Sequence, residues 1–463
     1  MADSVNSREL ITDMLVSIDK GEEQSHILIK NVLDKYDYLE AHDKAFIKKV
    51  TSGTLERRIT LDYIIDSVSN TPVAKMKPFI RNLIRMSTYQ IFYMDKVPDS
   101  AACNEAVKIA GKRGFKNLAG FVNGVLRNIS RNKDTITLPE ESEGVLRYYH
   151  IRYSCPELLV KHFLNEYGKI EAKKILDSTL RKRNLFVRIR EDISKEERES
   201  IKDEWHGSQV GFEKSIYLPY AYSLSNADNL ASLKRFAEGL YTVQDLSSMM
   251  VAEIAGVGAT DLVLDVCGAP GGKSLHAASK MKKAWKESGE AGPIGKVVCR
   301  DLSEYKVGLI RENIERMNMD NMETEALDAR VFDPAYEEKA DIVFMDVPCS
   351  GLGVIGKKPD IKYNATEESL EGILELQKEI IDTCVRYVKP GGKLIYSTCT
   401  LRRCENEEMA AYIMEKYGFE EMDISENLPE NLHKDLVSKG MAELMPYDGM
   451  DGFFIAGLIK NGH

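Results

Sequence analysis

Two cysteines and an aspartate stand out by residue type and position. Cys349 lies in MDVPCSGLG and Cys399 in YSTCTL, each where an apolar run gives way to a polar turn, and Asp346 precedes Cys349 by three residues. A thiolate is a nucleophile, and residues leaving neighbouring strands of an α/β sheet at the carboxyl edge share one cleft, so two thiols there could face one substrate. Each cysteine taken alone equally suits a small buried hydrophobe. A second candidate is DVCGAPGGKS, residues 265–274, where an apolar run enters a glycine-rich turn and then a helical pattern. Backbone N–H groups and the helix N-terminus would face a ligand there, and small residues would let it approach closely. A phosphate-loop reading fails on spacing, because G-x-x-x-x-G-K-S needs glycine at 267, where Cys267 stands. G-x-G-x-x-G is not matched either. A nucleotide-like ligand fits this turn better than a purely structural role.

Two more carboxylates end strand-like segments. Asp301 closes KVVCRDLS, a position suited to hydrogen-bonding both hydroxyls of a ribose. Asp328, within EALDAR at the end of a third candidate strand, could accept from an adenine amino group, or serve as a cap or loop aspartate.

The elements that must carry these residues change type along the chain. Residues 1 to about 135 read as helical throughout: Leu10, Ile11, Met14, Leu15 and Ile18 recur on one face after Asn6, a candidate N-cap with Glu9 three residues on, and similar stripes follow in SHILIKNVLDKY, FIRNLIRMSTYQIFYM and FKNLAGFVNGVLRNI. SRNKDTITLPEESEG reads as a linker. Residues 145–240 mix short helices with one alternating segment, Leu185, Val187 and Ile189 against Arg188 and Arg190, expected to be a solvated strand with a basic face. From about Gly239, strands and helices alternate, including a helix predicted over Glu368 to Val388, and DGFFIAGLIK can close the sheet antiparallel. Alternating β and α units predict a mostly parallel, doubly wound sheet with its sites at the carboxyl ends of the strands.

Composition sets the outer bounds. The 463 residues are 43% hydrophobic and 29% charged, which excludes a disordered or fibrous chain. The eight cysteines include no C-x-x-C pair, so thiols in a reducing compartment are expected, without a cysteine-based metal site. The N-terminus has acidic residues where a signal peptide would be basic and then apolar, and no apolar run approaches membrane-spanning length; a cytoplasmic, soluble protein is expected. The net charge of −10 is unevenly distributed: residues 1–140 hold 21 basic against 18 acidic side chains, whereas residues 241–463 hold 25 against 39. Between Ala101 and Lys133 seven basic residues, Lys112, Arg113 and Lys116 among them, accompany one acidic residue, Glu105. That segment is a candidate phosphate-facing patch or a solvated helix face.

The combination DVCGAPGGKS, Asp301, Asp328, MDVPCSGLGVIGKKPDIK and YSTCTLRRCENE resembles the S-adenosylmethionine-dependent RNA cytosine-C5 methyltransferases of the NOL1/NOP2/Sun family. NEAVKIAGKRGFKNLAGFVNGVLRNI resembles the NusB-type RNA-binding bundle, and the two together are similar to the bacterial 16S rRNA cytosine-C5 methyltransferases. The resemblance implies an all-α NusB-like domain over 1–136, a linker and small α+β RNA-binding subdomain over 137–234, and a Rossmann-like class I methyltransferase over 235–463. It implies that Cys267, Gly268, Ala269, Pro270, Gly271, Gly272 and Lys273 wrap the methionine part of S-adenosylmethionine, that Asp301 holds its ribose and Asp328 its adenine, and that Asp346 borders the methyl and the base. Cys399 is then the nucleophile and Cys349 assists product release. The implied partner is 16S ribosomal RNA, free or in an assembly intermediate, with cytosine 967 of the usual bacterial count as target, and no metal or membrane. Val347, where the family more often has alanine, and LGV, in place of a threonine-containing loop, are departures that touch no proposed catalytic atom.

Carbon 5 of cytosine is a poor nucleophile, which explains why such a family needs a thiolate. Addition of Cys399 to carbon 6 would make an enamine with electron density at carbon 5, and Asp346, protonated or sharing a proton, could hydrogen-bond N3. The base must leave its stack to be reached. Three other readings compete: methylation of an exocyclic amine, which the Asp346–Val347–Pro348–Cys349 turn fits poorly; methylation of a cytosine in tRNA or 23S rRNA; and a non-catalytic RNA-binding assembly factor, against which intact Cys349 and Cys399 argue.

Overall fold

The computed structural model describes residues 5–181, 184–227, 229–289 and 292–462. The chain forms two compact units, one of Met1–Arg181 with Ile355–Ala365, the other of Lys182–Val354 with Thr366–His463.

The first unit is helical: α1 (Ser7–Asp19), α2 (Ser25–Lys35), α3 (Ala41–Glu56), α4 (Arg58–Asp66), α5 (Pro78–Tyr93), α6 (Asp99–Lys112), α7 (Ala119–Asn132), α8 (Val145–Arg152) and α9 (Glu157–Thr179). Asn6 caps α1, its side-chain oxygen accepting from the N–H groups of Arg8 and Glu9 at 3.0 Å each. Helix α5 is buried on nearly all sides, Ile80, Leu83, Ile84 and Met86 included, and so forms the centre of the bundle. At the end of α1, Asp19 accepts from Arg58, Arg81, Arg85 and Asn82 at 3.0–3.2 Å.

Residues 355–365, distant in sequence, complete this bundle. Asp360 accepts from the Ser25 hydroxyl (2.5 Å) and N–H (3.1 Å), the Lys362 ammonium donates to the Glu56 carbonyl (2.8 Å), and the Tyr363 hydroxyl donates to the Leu55 carbonyl (2.8 Å). The Arg58 guanidinium lies 3.6 Å from the Tyr363 ring centroid. Burial draws Lys362 down to about 8.

The second unit opens with β1 (Leu185–Ile189), α10 (Lys195–Gly207), β2 (Gly211–Lys214), β3 (Ala221–Ser225), α11 (Lys234–Ala237) and β4 (Tyr241–Val243), whose strands form an antiparallel sheet in the order β2-β3-β1-β4. The alternating segment is therefore β1, as expected, but it is not solvated. It lies between β3 and β4, and Arg188 and Arg190 are both buried. Arg188 donates to Gln244 (2.7 Å), and Arg190 donates to Asp192 (2.6 Å) and to the Met317 carbonyl (2.5 Å). Arg190 is thus paired internally with Asp192, whereas the two terminal nitrogens of Arg188 are buried without a protein partner among the described residues.

Then come α12 (Leu246–Ala255), β5 (Leu262–Asp265), α13 (Gly272–Ser288), β6 (Lys296–Asp301), α14 (Glu304–Met317), β7 (Met322–Ala326), β8 (Ala340–Asp346), α15 (Ile361–Asn364, within the helical unit), α16 (Glu367–Cys384), β9 (Val388–Thr398), α17 (Glu407–Tyr417), β10 (Phe419–Glu421), β11 (Leu436–Ser438), β12 (Met441–Leu444) and β13 (Phe453–Lys460). Helix α16 stops before the predicted Val388, which opens β9 instead. The sheet order is β11-β12-β13-β9-β8-β5-β6-β7, with β10 beside β13. Pairs β5–β6, β6–β7, β5–β8 and β8–β9 are parallel and β13 returns antiparallel to β9, so the doubly wound sheet with an antiparallel closing strand is as expected. Cores on both faces bury Val263, Phe344 and Ile395 on one side and Leu264, Val343 and Leu394 on the other. No helix is long and apolar enough to cross a membrane among the described residues.

Candidate active site

Strands β5, β6, β8 and β9 bring the candidate residues to one edge of the sheet. From β5 the chain turns through 266–271 into α13; the Ala269–Pro270 peptide is cis and Gly271 has φ 101°. At Gly268 a Cβ would overlap the Cys299 sulfur, so only glycine fits. Asp301, at the end of β6, closes this loop: its carboxylate accepts from the Ala269 N–H (3.0 Å) and the Leu302 N–H (2.7 Å), and Lys306 pairs with it at 3.0 Å. Asp328, two residues beyond β7, is instead bound up locally, accepting from the N–H of Arg330 (3.0 Å) and from its guanidinium (2.7 Å).

Strands β8 and β9 pair with Asp346 opposite Ser397, which sets the centre of the site. Asp346 accepts from the Lys273 ammonium (2.5 Å) through one oxygen and from the Ser397 hydroxyl (2.8 Å) through the other. Burial alone would discharge Lys273, but the field of Asp346, with smaller contributions from Asp265 and Cys399, raises its affinity for the proton and keeps it cationic. Asp346 thus accepts from two donors, one on each oxygen.

Just past these strand ends, the Cys349 and Cys399 sulfurs are 3.3 Å apart. The hydrogen bond to Cys399, followed by burial, holds Cys349 well above the usual thiol range. Cys349 is therefore held toward the thiol form, and either sulfur can donate in the contact between them. All eight cysteines are thiols.

Three contributors escaped the sequence reading. The buried Glu405 ties both cysteine turns together: its carboxylate accepts from the Ser350 N–H (2.8 Å), Gln377 (3.2 Å) and Arg402 (2.8 Å), while its carbonyl accepts from the Tyr396 hydroxyl (2.6 Å). Gln377 also donates to the Pro348 carbonyl (2.9 Å), and the Ser350 and Thr400 hydroxyls meet at 2.6 Å. Asp265 is the second. Fully buried at the end of β5, it accepts from the Ser274 hydroxyl (2.5 Å) through one oxygen, while the other has no partner in the protein. Burial raises this carboxyl to about 7. Its position at the head of DVCGAPGGKS was legible; its isolation was not. The third, Ser397, showed no signal beyond its place before the cysteine.

Outside this edge, Glu191, Glu253 and His276 come within 4.8 Å of one another among the described residues. Lys280 bridges the two carboxylates at 3.2 and 2.7 Å, and Tyr220 donates to Glu253, so the acidic charge is already taken up. In the helical unit, Lys112 pairs with Glu9 (2.9 Å) and Arg113 with Glu9 (3.1 Å) and Asp13 (2.7 Å), leaving Lys116 exposed.

The sheet order, the glycine-rich loop after its first parallel strand and the carboxylates at the neighbouring strand ends define a Rossmann-like methyltransferase. Two solved structures share the architecture: one of PH0851 (TM-score 0.80, 21% identical, 99% of each chain covered) and one of NSun6 from Pyrococcus horikoshii with SFG (TM-score 0.55, 22% identical, 66% of this chain and 98% of that one). Residues 256–459 match the 16S rRNA methyltransferase RsmB/F family model, and residues 5–131 match the NusB family. The probable ribosomal RNA small subunit methyltransferase B of Bacillus subtilis is 35% identical, covering 98% of this chain and 99% of that protein. The ribosomal RNA small subunit methyltransferase B of Klebsiella pneumoniae is 27% identical over 99% of both. The chain belongs to the RsmB/F family of 16S rRNA methyltransferases and carries a NusB-family domain at its N-terminus.

Proposed function

We propose that the protein methylates carbon 5 of a cytosine in 16S ribosomal RNA, with S-adenosylmethionine as donor, through a covalent adduct between Cys399 and carbon 6. The observation that carries this reading is the 3.3 Å approach of Cys349 and Cys399 beside the Lys273–Asp346 pair.

The loop residues fit the donor. The buried, unpartnered oxygen of Asp265 suits an ammonium group. Cys267 to Lys273 would cradle the methionine part and Asp301 would take the ribose. When bound, S-adenosylmethionine supplies an electrophilic methyl on a sulfonium.

Cys399, favoured as thiolate by the Cys349 S–H and the Lys273 ammonium, forms a bond to carbon 6 as the ring's 5,6 double bond opens toward carbon 5. As the bond to carbon 6 forms, N3 takes a proton that the Lys273 ammonium supplies through the Asp346 carboxyl, and the proton returns to that pair when the adduct breaks down. After methylation a base removes the carbon 5 hydrogen, the Cys399–carbon 6 bond breaks, and the double bond re-forms. Cys349, still protonated, assists that release by returning a hydrogen bond to the departing sulfur.

The test is transfer of labelled methyl to 16S rRNA from cells lacking the enzyme, followed by nucleoside analysis. Label in 5-methylcytidine is expected, and mapping then identifies the position. Absence of label at carbon 5 of any cytosine overturns the reading.

A further inference from the structure

The small sheet of the second unit holds a cavity that plays no part in the chemistry above. Its volume is about 280 Å³, and its rim carries Lys195, Arg198 and Lys202 from α10 and Lys214 from β2, with Tyr222 of β3 in its wall. Spacings of three and four residues put the three α10 cations on one helical face. One acidic residue, Glu199, also lines it and pairs with Lys202 at 2.9 Å. Arg198 is anchored through one nitrogen to the Glu191 carbonyl at 2.6 Å, which fixes its guanidinium and leaves its other donors available. Lys195 and Lys214 are exposed and belong to no ion pair among the described residues.

A pocket with four cations and one carboxylate carries a surplus of positive charge in a chain whose net charge is −10. Cations lining a concavity, one of them a tethered guanidinium, match the charge and oxygen geometry of a phosphodiester. By contrast, the basic segment singled out in the helical unit has two of its three chosen cations neutralised by Glu9 and Asp13.

We propose that this pocket is a backbone-phosphate site for the RNA substrate, holding one or more phosphates of the strand that feeds the target base to the cysteine edge. The proposal rests on the RNA reading above and adds where the backbone is held. Lys195 and Lys214 supply mobile charge, and Arg198 supplies the oriented donor.

The experiment measures binding of a short single-stranded oligoribonucleotide of mixed sequence to the full chain as a function of salt. The glutamine pair Lys195→Gln/Lys214→Gln is expected to flatten the slope of log affinity against log salt by roughly 0.7 for each phosphate released. The pair Lys195→Arg/Lys214→Arg is expected to retain the wild-type slope, and both are expected to bind sinefungin as the wild type does. Any other pattern overturns the site. The two readings fail separately: wild-type methyl transfer with an unchanged slope in the glutamine pair removes the pocket and leaves the function, whereas loss of slope in a protein that methylates no cytosine does the reverse.

Discussion

The Cys349 sulfur sits 3.3 Å from the Cys399 sulfur, and only one of the two can carry charge. The shared hydrogen bond and burial hold Cys349 well above the usual thiol range, and in the proposed mechanism the two sulfurs act at different steps. Cys399→Ala should reduce methyl transfer below detection while sinefungin affinity stays within twofold. Cys349→Ala should still form the bond to RNA but release it slowly, so that a protein–RNA adduct survives on denaturing gels. An adduct in Cys399→Ala would show that the roles are exchanged.

Asp265 makes donor binding pH-dependent. Its carboxyl, raised to about 7 by burial, holds a proton in the folded protein between its ordinary value near ~4 and about 7. A carboxylate is needed to receive an ammonium, so sinefungin affinity should fall as pH drops below about 7, approaching tenfold per unit. Asp265→Asn should bind more weakly and lose that dependence. Stability has the opposite sign: this group favours the folded state most at low pH and loses that contribution as pH rises through about 7. Calorimetric titration of both proteins across this range is the measurement.

Glu405 touches neither ligand; it positions the two cysteine turns. Glu405→Gln removes the charge from the hydrogen bonds to Ser350 and Arg402, and a loss of roughly tenfold to a hundredfold in kcat is expected, with sinefungin Kd unchanged. A parallel fall in donor affinity would mean that Glu405 supports the whole sheet edge rather than the cysteine turns.

In the helical unit, Asp19 is nearly buried between Arg58, Arg81 and Arg85. Burial alone would raise its carboxyl, but Arg85, Asn82 and Arg58 outweigh this and hold it below the usual range. Asp19→Ala leaves Arg58 and Arg81 without their carboxylate, while Arg85 keeps Asp62, and should destabilise the unit by about 3 kcal/mol. The wild-type contribution is present above the ordinary aspartate value and is lost as pH falls through the lowered one, so the gap between the two proteins should narrow in acid. Urea unfolding at neutral and acidic pH reads both effects.

Much of this architecture was legible because it is local. Apolar runs alternating with helical stripes announced the parallel sheet, and the ends of those runs named Asp301, Asp346, Cys349 and Cys399. What stayed hidden depends on pairing across long separations. Glu405 shares a carboxylate with Ser350 55 residues away, and Arg113 meets Asp13 100 residues back, which turns an evident basic patch into ion pairs. Arg188 and Arg190 looked solvent-facing because nothing in an alternating strand tells which neighbours cover its polar side. Asp328 closes on Arg330 in its own turn, a contact the sequence did not announce.

The eleven-residue excursion 355–365 has a practical corollary for anyone dividing this protein. Cutting the gene between residues 181 and 182 would excise Lys362 and Tyr363 from the bundle, stripping the Leu55 and Glu56 carbonyls of their donors and Arg58 of the ring it lies on. A helical fragment made that way is a bundle with a missing stave, and its behaviour would say little about the intact chain.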